Sequence, residues 1–118
     1  MEKGEGLTMR YAIPTADGRL TMHFGHADRF ALVEVRDGAV VETRTVDPPP
    51  HAPGVLPQWL KEQGVDLVIA GGMGRRAQDL FAQHGIRVLV GAGPAAPEDL
   101  VREHLAGALK TGANICDH

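Results

Sequence analysis

The chain has a single cysteine, Cys116, so it cannot form a disulfide bond within itself. This excludes the disulfide-rich class of small secreted domains and favours a cytoplasmic protein. No apolar run approaches the roughly 18 residues of a transmembrane helix, and the beginning of the chain lacks the pattern of a signal peptide. The net charge of −3 provides no broad basic surface, which argues against nucleic acid as a partner.

Catalytic and nucleotide-binding motifs are absent as well. The chain contains no H-E-x-x-H, no G-x-S-x-G, no C-x-x-C, no G-x-G-x-x-G and no G-K-[ST]. A cysteine–histidine nucleophilic pair is formally possible with Cys116, but this nucleophile would lie on a tail, where loose geometry is poorly suited to catalysis. We therefore expect a protein that is not an enzyme.

The length of 118 residues suits one compact domain. We expect a loose leader at 1–8, one α/β domain at 9–112 and a short tail at 113–118. Hydrophobic periodicity and turn residues predict the order β-β-β-α-β-α-β-α. The elements are strands at 9–14, 30–35 and 40–46, a helix ending at Gly64, a strand at 65–70, a helix ending at Gly85, a strand at 86–90, and a helix from Pro97 to Lys110. An early hairpin followed by βαβ units implies a mixed sheet covered by helices.

Two histidines lie in a loop predicted at residues 22–28, hereafter the histidine loop. His23 and His26 are three residues apart, and a turn can bring both imidazoles to one side. Neutral imidazole is a good ligand for zinc, copper, iron or nickel. The alternative interpretation is a pair of ordinary surface histidines. Phe24, between them, is expected to anchor the loop in the core.

Three further residues are candidate metal ligands. Cys116 and His118 are two residues apart, and an extended segment would point both side chains to one face. Thiolate and imidazole together favour copper(I), zinc or iron–sulfur species. His51 follows three prolines that hold its backbone stiffly. The alternatives are a disordered tail and an exposed loop residue.

A glycine-rich stretch at 71–74, hereafter the glycine turn, joins a predicted strand to a predicted helix. Its residues are Gly71, Gly72, Met73 and Gly74. Helix N-termini attract anions, and open α/β sheets bind ligands at the carboxyl ends of their strands. Met73 adds a weak soft donor, and the two arginines that follow could balance an anionic cluster. The glycines could equally serve the turn conformation alone.

Together these motifs resemble the dinitrogenase iron–molybdenum cofactor biosynthesis family, which includes NifX-like proteins, the carboxyl-terminal part of NifB-type proteins and the molybdenum–copper orange protein. The resemblance covers about residues 9–118. It rests on His23-Phe24-Gly25-His26-Ala27 with Phe30, Gly64-Val65-Asp66, the stretch 69–74, Ala77, Leu80-Phe81, Gly85-Ile86 and Gly91. The ending Cys116-Asp117-His118 is similar to one branch of that family.

The resemblance implies a ribonuclease H-like fold with a five-stranded mixed sheet. It also implies binding, carriage or storage of a metal–sulfur cofactor, such as an iron–sulfur or molybdenum-containing cluster, or of its precursor. The family's cofactor-binding histidine corresponds to His23, whereas His26 stands where many relatives carry arginine or another residue. Expected partners are the metallocluster itself and the proteins that synthesise or accept it.

Three functional hypotheses stay open. The first is a metallocluster carrier, with a mononuclear zinc, nickel or copper site on the same residues as a variant. The second is a regulatory or protein-interaction module whose histidines are incidental, and the third is a small enzyme. The sequence favours the first, in a protein that is a monomer or a homodimer.

Overall fold

A computed structural model describes residues 8–21, 24, 27–50, 52 and 54–109 of the chain. This part forms six strands and three helices in an α/β arrangement. The elements are β1 (Thr8–Ala16), β2 (Arg19–Leu20), β3 (Arg29–Arg36), β4 (Ala39–Val46), α1 (Val55–Glu62), β5 (Leu67–Ile69), α2 (Arg75–Gln83), β6 (Arg87–Leu89) and α3 (Pro97–Leu105). The predicted α/β class, mixed sheet and three helices are confirmed.

The strands form one sheet in the order β4-β3-β1-β5-β6, and β2 pairs with β1 outside this path. β1 is antiparallel to β3 and parallel to β5, and β5 is parallel to β6. The sheet thus has six strands where five were expected. The additional strand, β2, is only two residues long, which is too short for its hydrophobic pattern to be recognised in the sequence.

Two Asp-Gly pairs make the hairpin turns. Asp17 and Gly18 join β1 to β2, and Asp37 and Gly38 join β3 to β4. All four residues have positive φ, between 55° and 81°. This is the backbone of a type I′ turn, whose twist matches that of the flanking strands. The hairpin predicted at Asp37-Gly38 is confirmed.

The sequence suggested that Pro14 ends β1, but the strand continues to Ala16. Pro14 pairs with Phe30 of β3 inside the strand. A proline has no N–H to donate, so a sheet tolerates it where one side of its strand lacks a continuous ladder. The pairs of β1 with β5 stop at Ala12, and those with β2 begin at Thr15, so Pro14 occupies the gap between them.

The helices cover both faces of the sheet. One hydrophobic cluster lies beneath α1 and α2 and contains Leu60, Val68 and Phe81. The other lies beneath α3 and contains Tyr11, Leu67 and Val101. Alternate residues of β5 therefore serve opposite cores, as the two-residue period of a strand requires. No helix in the described part of the chain is both long and apolar enough to cross a membrane.

The last helix is shorter than predicted. An apolar stripe suggested a helix continuing to Lys110, but α3 ends at Leu105 with Ala106 as its C-cap. Gly107 follows with φ of 72°, a left-handed conformation that glycine adopts readily and that terminates helices. Ala108 and Leu109 therefore lie beyond the helix, although Leu109 still packs against the second core cluster.

Candidate functional site

The carboxyl ends of the parallel strands lie along one edge of the sheet. β1, β5 and β6 run in the same direction, so the segments that follow them emerge together. Two of these segments bond to each other, because the N–H of Gly91 donates to the carbonyl of Gly71 at 2.8 Å. Ligands of open α/β sheets bind at such an edge.

Phe24 joins the histidine loop to this edge. Its backbone N–H donates to the carbonyl oxygen of Gly72 at 3.0 Å. Its ring makes edge-to-face contacts with Phe30 and Phe81, each with 5.6 Å between ring centres. Only 7% of Phe24 is exposed. The prediction that Phe24 anchors the loop in the core is confirmed.

The glycine turn is held by its carbonyl groups. Besides the bonds to Gly71 and Gly72, the carbonyl of Met73 accepts a hydrogen bond of 2.9 Å from Nε2 of Gln78. The N–H groups of Gly72 and Gly74 donate to no other described residue. The four carbonyl groups of the turn are therefore all engaged in hydrogen bonds within the described part of the chain.

Gln78 contributes to the site without having been predicted from the sequence. Its side chain fixes the carbonyl of Met73, and its backbone N–H donates to the carbonyl of Gly74 at 3.1 Å. A glutamine on a helix is common and carries no motif. Only its position four residues after Gly74 could have suggested that it reaches back to the turn.

The N-terminus of α2 carries an unusual charge. Gly74 is its N-cap and offers no side chain to cap the helix, and the first turn begins with Arg75 and Arg76 and contains no acid. Helix dipoles favour acids at this end, and each misplaced charge costs about 0.3–1 kcal/mol. In α3 the same positions are occupied by Glu98 and Asp99, as the dipole prefers. The edge beside the glycine turn is therefore electropositive.

The side chain of Met73 lies in the core, whereas the backbone of the glycine turn continues to the surface at Gly74. Met73 is 1% exposed and belongs to the core cluster beneath α1 and α2. This burial counts against the thioether as a surface ligand. At Gly74, by contrast, an added Cβ would meet no atom within 4 Å, and φ is −65°. The fold therefore leaves open space over Gly74 and does not itself require a glycine there.

The five predicted metal ligands lie outside the described residues, so their assignment stays a prediction. They are His23, His26, His51, Cys116 and His118. Within the described residues, no three histidine, cysteine, aspartate or glutamate side chains are grouped so that they could hold a metal ion.

A separate cleft of about 680 Å³ lies against α3, on the opposite face of the sheet. Its lining includes four carboxylates, from Asp17, Asp28, Glu98 and Asp99, and one arginine, Arg29. The acidic lining would repel an anionic ligand. Of the two places, the electropositive glycine turn is the one suited to an anion.

These features define a small α/β protein whose sheet presents backbone donors and positive charge at its carboxyl edge. A model of the dinitrogenase iron-molybdenum cofactor family matches residues 8–107. The chain therefore belongs to the dinitrogenase iron-molybdenum cofactor family, as its motifs predicted.

Several known proteins are similar to this chain over most of their length. The uncharacterized protein MJ0580 of Methanocaldococcus jannaschii is 27% identical over 107 residues, covering 86% of this chain and 90% of that protein. The crystal structure of PH0822 is 32% identical, with a TM-score of 0.81 over 87% of this chain and 94% of that one. The apo form of the orange protein from Desulfovibrio gigas shares the fold, at 23% identity and a TM-score of 0.70, over 92% of this chain and 97% of that one.

Proposed function

We propose that this protein binds and carries an anionic metal–sulfur cofactor, or a precursor of one, as an accessory protein and not as a catalyst. Family membership supports a cofactor-related accessory role. One observation carries the assignment to a site: the hydrogen bond from Phe24 to Gly72 ties the histidine loop to the glycine turn. The cargo would then rest between His23 and the N-terminus of α2.

Chain connectivity supports the part given to His23. The donor in that hydrogen bond is the amide that links residues 23 and 24, so His23 is one peptide away from the glycine turn. The buried ring of Phe24 fixes the other side of the same amide. In this proposal the His23 imidazole, which is a suitable donor for iron, copper or zinc, binds a ligand held by the turn.

The charge at this edge supports an anionic cargo. Thiomolybdates and many metal–sulfur clusters are anions. Backbone N–H groups at the N-terminus of a helix stabilise such groups, and Arg76, which has no ion pair with a described residue, adds a full positive charge nearby. A bound anion would also offset the unfavourable placement of Arg76 in the first turn of α2.

The expected ligand set fits a cargo that must later be released. A metal–sulfur species brings its own sulfur ligands and needs few from the protein, whereas a closed zinc site needs four. In this proposal His23 is the main ligand, and His26, His51, Cys116 and His118 are additional ones. Gly71, Gly72 and Gly74 contact the cargo through their backbone, and Met73 does so only through its amide.

Anaerobic binding of defined cargoes tests the proposal. The purified protein is mixed separately with tetrathiomolybdate plus copper(I) and with iron plus sulfide, and binding is followed by absorption spectroscopy and metal analysis. We expect His23→Ala to reduce binding at least tenfold. Cys116→Ser should reduce it if the tail adds a ligand.

His84→Ala is the matched control, because His84 caps the opposite end of α2 and should leave binding unchanged. If the wild type binds neither cargo, or if His23→Ala binds as well as the wild type, the proposal fails. Binding of zinc, nickel or copper alone, without sulfide or thiomolybdate, would replace it with a mononuclear metal site.

A further inference from the structure

The two outermost strands of the sheet, β4 and β6, differ in length and protection. One edge is β6, which has only three residues. The other is β4, which has eight residues and, among the described strands, pairs with β3 alone. An edge strand presents a row of unpaired N–H and C=O groups that can template pairing with another chain. The long edge at β4 therefore needs either protection or a partner.

The sequence of β4 gives it little protection. It reads Ala-Val-Val-Glu-Thr-Arg-Thr-Val, with no proline or lysine, and most of its residues favour strands. One bulge interrupts it, because Glu34 and Val35 of β3 pair with Glu42 and Val40 and so leave Val41 as an extra residue. Val41 is 51% exposed, and no other large hydrophobic residue in the described part of the chain is exposed. Beyond the bulge, residues 42–46 form a regular ladder.

Two charges on this regular segment lack partners. Glu42 and Arg44 are both exposed, and neither forms an ion pair with any other residue that the structure describes. The residue opposite Glu42 is another acid, Glu34, which already bonds to Arg10 and Arg36. Glu42 therefore has no cation directly opposite it within its own sheet, and a cation from outside would stabilise it.

We propose that β4 pairs with β4 of a second copy of this chain, antiparallel and around a two-fold axis at Thr43. In this register Glu42 lies opposite the partner's Arg44, and Arg44 lies opposite the partner's Glu42. Both side chains are on the same face of the sheet, two residues apart, so each copy supplies one half of two identical ion pairs. We infer that the pairing strand belongs to a second copy of this chain because the charge pattern of β4 is self-complementary.

Symmetry selects this register from the few that are available. Opposed residues must point to the same face of the sheet. A two-fold axis normal to the sheet therefore has to pass midway between the two copies of one residue, which lie directly opposite each other. An axis at Glu42 would pair acid with acid, and an axis at Arg44 would pair arginine with arginine. An axis at Thr45 would place Arg44 opposite a valine. Within residues 42–46, only Thr43 brings opposite charges together.

The pairing would place the two cargo sites far apart. β4 runs parallel to β1, and the two copies of β4 run in opposite directions, so the carboxyl edges of the two sheets lie at opposite ends of the joined sheet. Each copy would carry its own cargo. Dimerisation and cargo binding are therefore separable, and the failure of one proposal would leave the other standing.

Sedimentation velocity over a range of protein concentrations tests the pairing. We expect a monomer–dimer equilibrium in the wild type. Glu42→Arg alone, or Arg44→Glu alone, turns both attractive pairs into repulsive ones and should weaken the dimer roughly tenfold or more. The double variant Glu42→Arg with Arg44→Glu restores both pairs with their signs exchanged, and it should restore the dimer.

Asp79→Arg is the matched control, since it reverses an exposed charge on α2, away from β4, and should leave the dimer unchanged. Circular dichroism establishes that each variant is folded, and amide exchange in β4 should slow as the wild-type concentration rises. A wild type that stays monomeric up to near-millimolar concentration overturns the proposal. So does a dimer that neither single variant weakens, or one that the double variant fails to restore.

Discussion

Replacing Gly74 by aspartate should make the protein more stable and a poorer cargo binder. Gly74 is the N-cap of α2, with φ of −65° and ψ of 155°, which is the extended backbone typical of N-caps. An added Cβ would meet nothing within 4 Å, so the substitution introduces no clash. Its carboxylate can accept a hydrogen bond from the first turn of α2 and lies close to Arg75 and Arg76.

The expected gain in stability follows from these contacts. A capping side chain improves on glycine by a few tenths of a kcal/mol. A negative charge at a helix N-terminus adds about 0.3–1 kcal/mol. The sum is about 1 kcal/mol, which should raise the melting temperature by roughly 4 °C in a domain of this size. Differential scanning calorimetry of the cargo-free protein measures this shift.

The expected loss of binding has the same cause. The new carboxylate would occupy the open space beside the glycine turn and repel an anion held there. Two unit charges about 5 Å apart repel by roughly 1–3 kcal/mol at the effective dielectric of water or a protein surface, so binding of tetrathiomolybdate with copper(I) should weaken about tenfold to a hundredfold.

Gly74→Asn is the control for charge, because asparagine caps a helix about as well as aspartate but is neutral. It should bind cargo better than Gly74→Asp does. Unchanged binding by Gly74→Asp would refute the placement of the cargo at the start of α2. A lower melting temperature for Gly74→Asp would instead refute the inference that a side chain at this position can cap α2.

Three further predictions concern other parts of the molecule. Phe24→Ala should cost about 3 kcal/mol of stability and weaken cargo binding, measured by denaturant unfolding and anaerobic titration; a loss below about 1 kcal/mol would show that the ring is not a core anchor. Burial raises the pKa of Tyr11 above its usual 10.0, against the opposing charge of Arg87. The native state therefore keeps the phenol proton at pH values where the unfolded chain has lost it, and stability should fall as pH rises above about 10. Tyr11 is the only tyrosine, so tyrosinate absorbance should show a titration midpoint above 10.0 that returns to normal in denaturant. If His23 is a ligand, cargo affinity should drop between about pH 8 and about pH 5.5, because imidazole is protonated below about pH 6.5, and the drop should be absent in His23→Ala.

The sequence predicted those parts of the fold that local chemistry determines. Asp37-Gly38 supplies two residues that tolerate positive φ, so the hairpin was visible without any tertiary information. Phe24 was recognisable as an anchor because a large aromatic in a polar loop has few other uses. Apart from β2, the order of helices and strands followed from hydrophobic periodicity and turn residues, because the helices are amphipathic and β1, β3 and β5 contain buried apolar runs.

Other features depend on neighbours that are remote in the chain. Pro14 is tolerated inside β1 because β5 and β2 meet that strand on either side of it, which no local pattern reveals. Gly107 ends α3 although apolar residues continue beyond it. Met73 was expected to add a weak soft donor, and only the packed structure shows that its side chain lies in the core. The positive charge at the N-terminus of α2, in contrast, could be predicted from the two arginines that follow the glycine turn.

The aromatic contacts beneath the edge have a consequence for how quickly a cargo could be exchanged. Trp59 contacts Phe30, which contacts Phe24, which contacts Phe81, each pair with 5.6 Å between ring centres. These rings secure the anchor of the histidine loop by packing within the core, so the anchor's conformational entropy is lost on folding and not on loading. Association and release at such a preorganised dock need no refolding of the anchor. Trp59, the only tryptophan of the chain, lies at the far end of this row of rings, so its fluorescence offers an optical signal for handover to an acceptor protein.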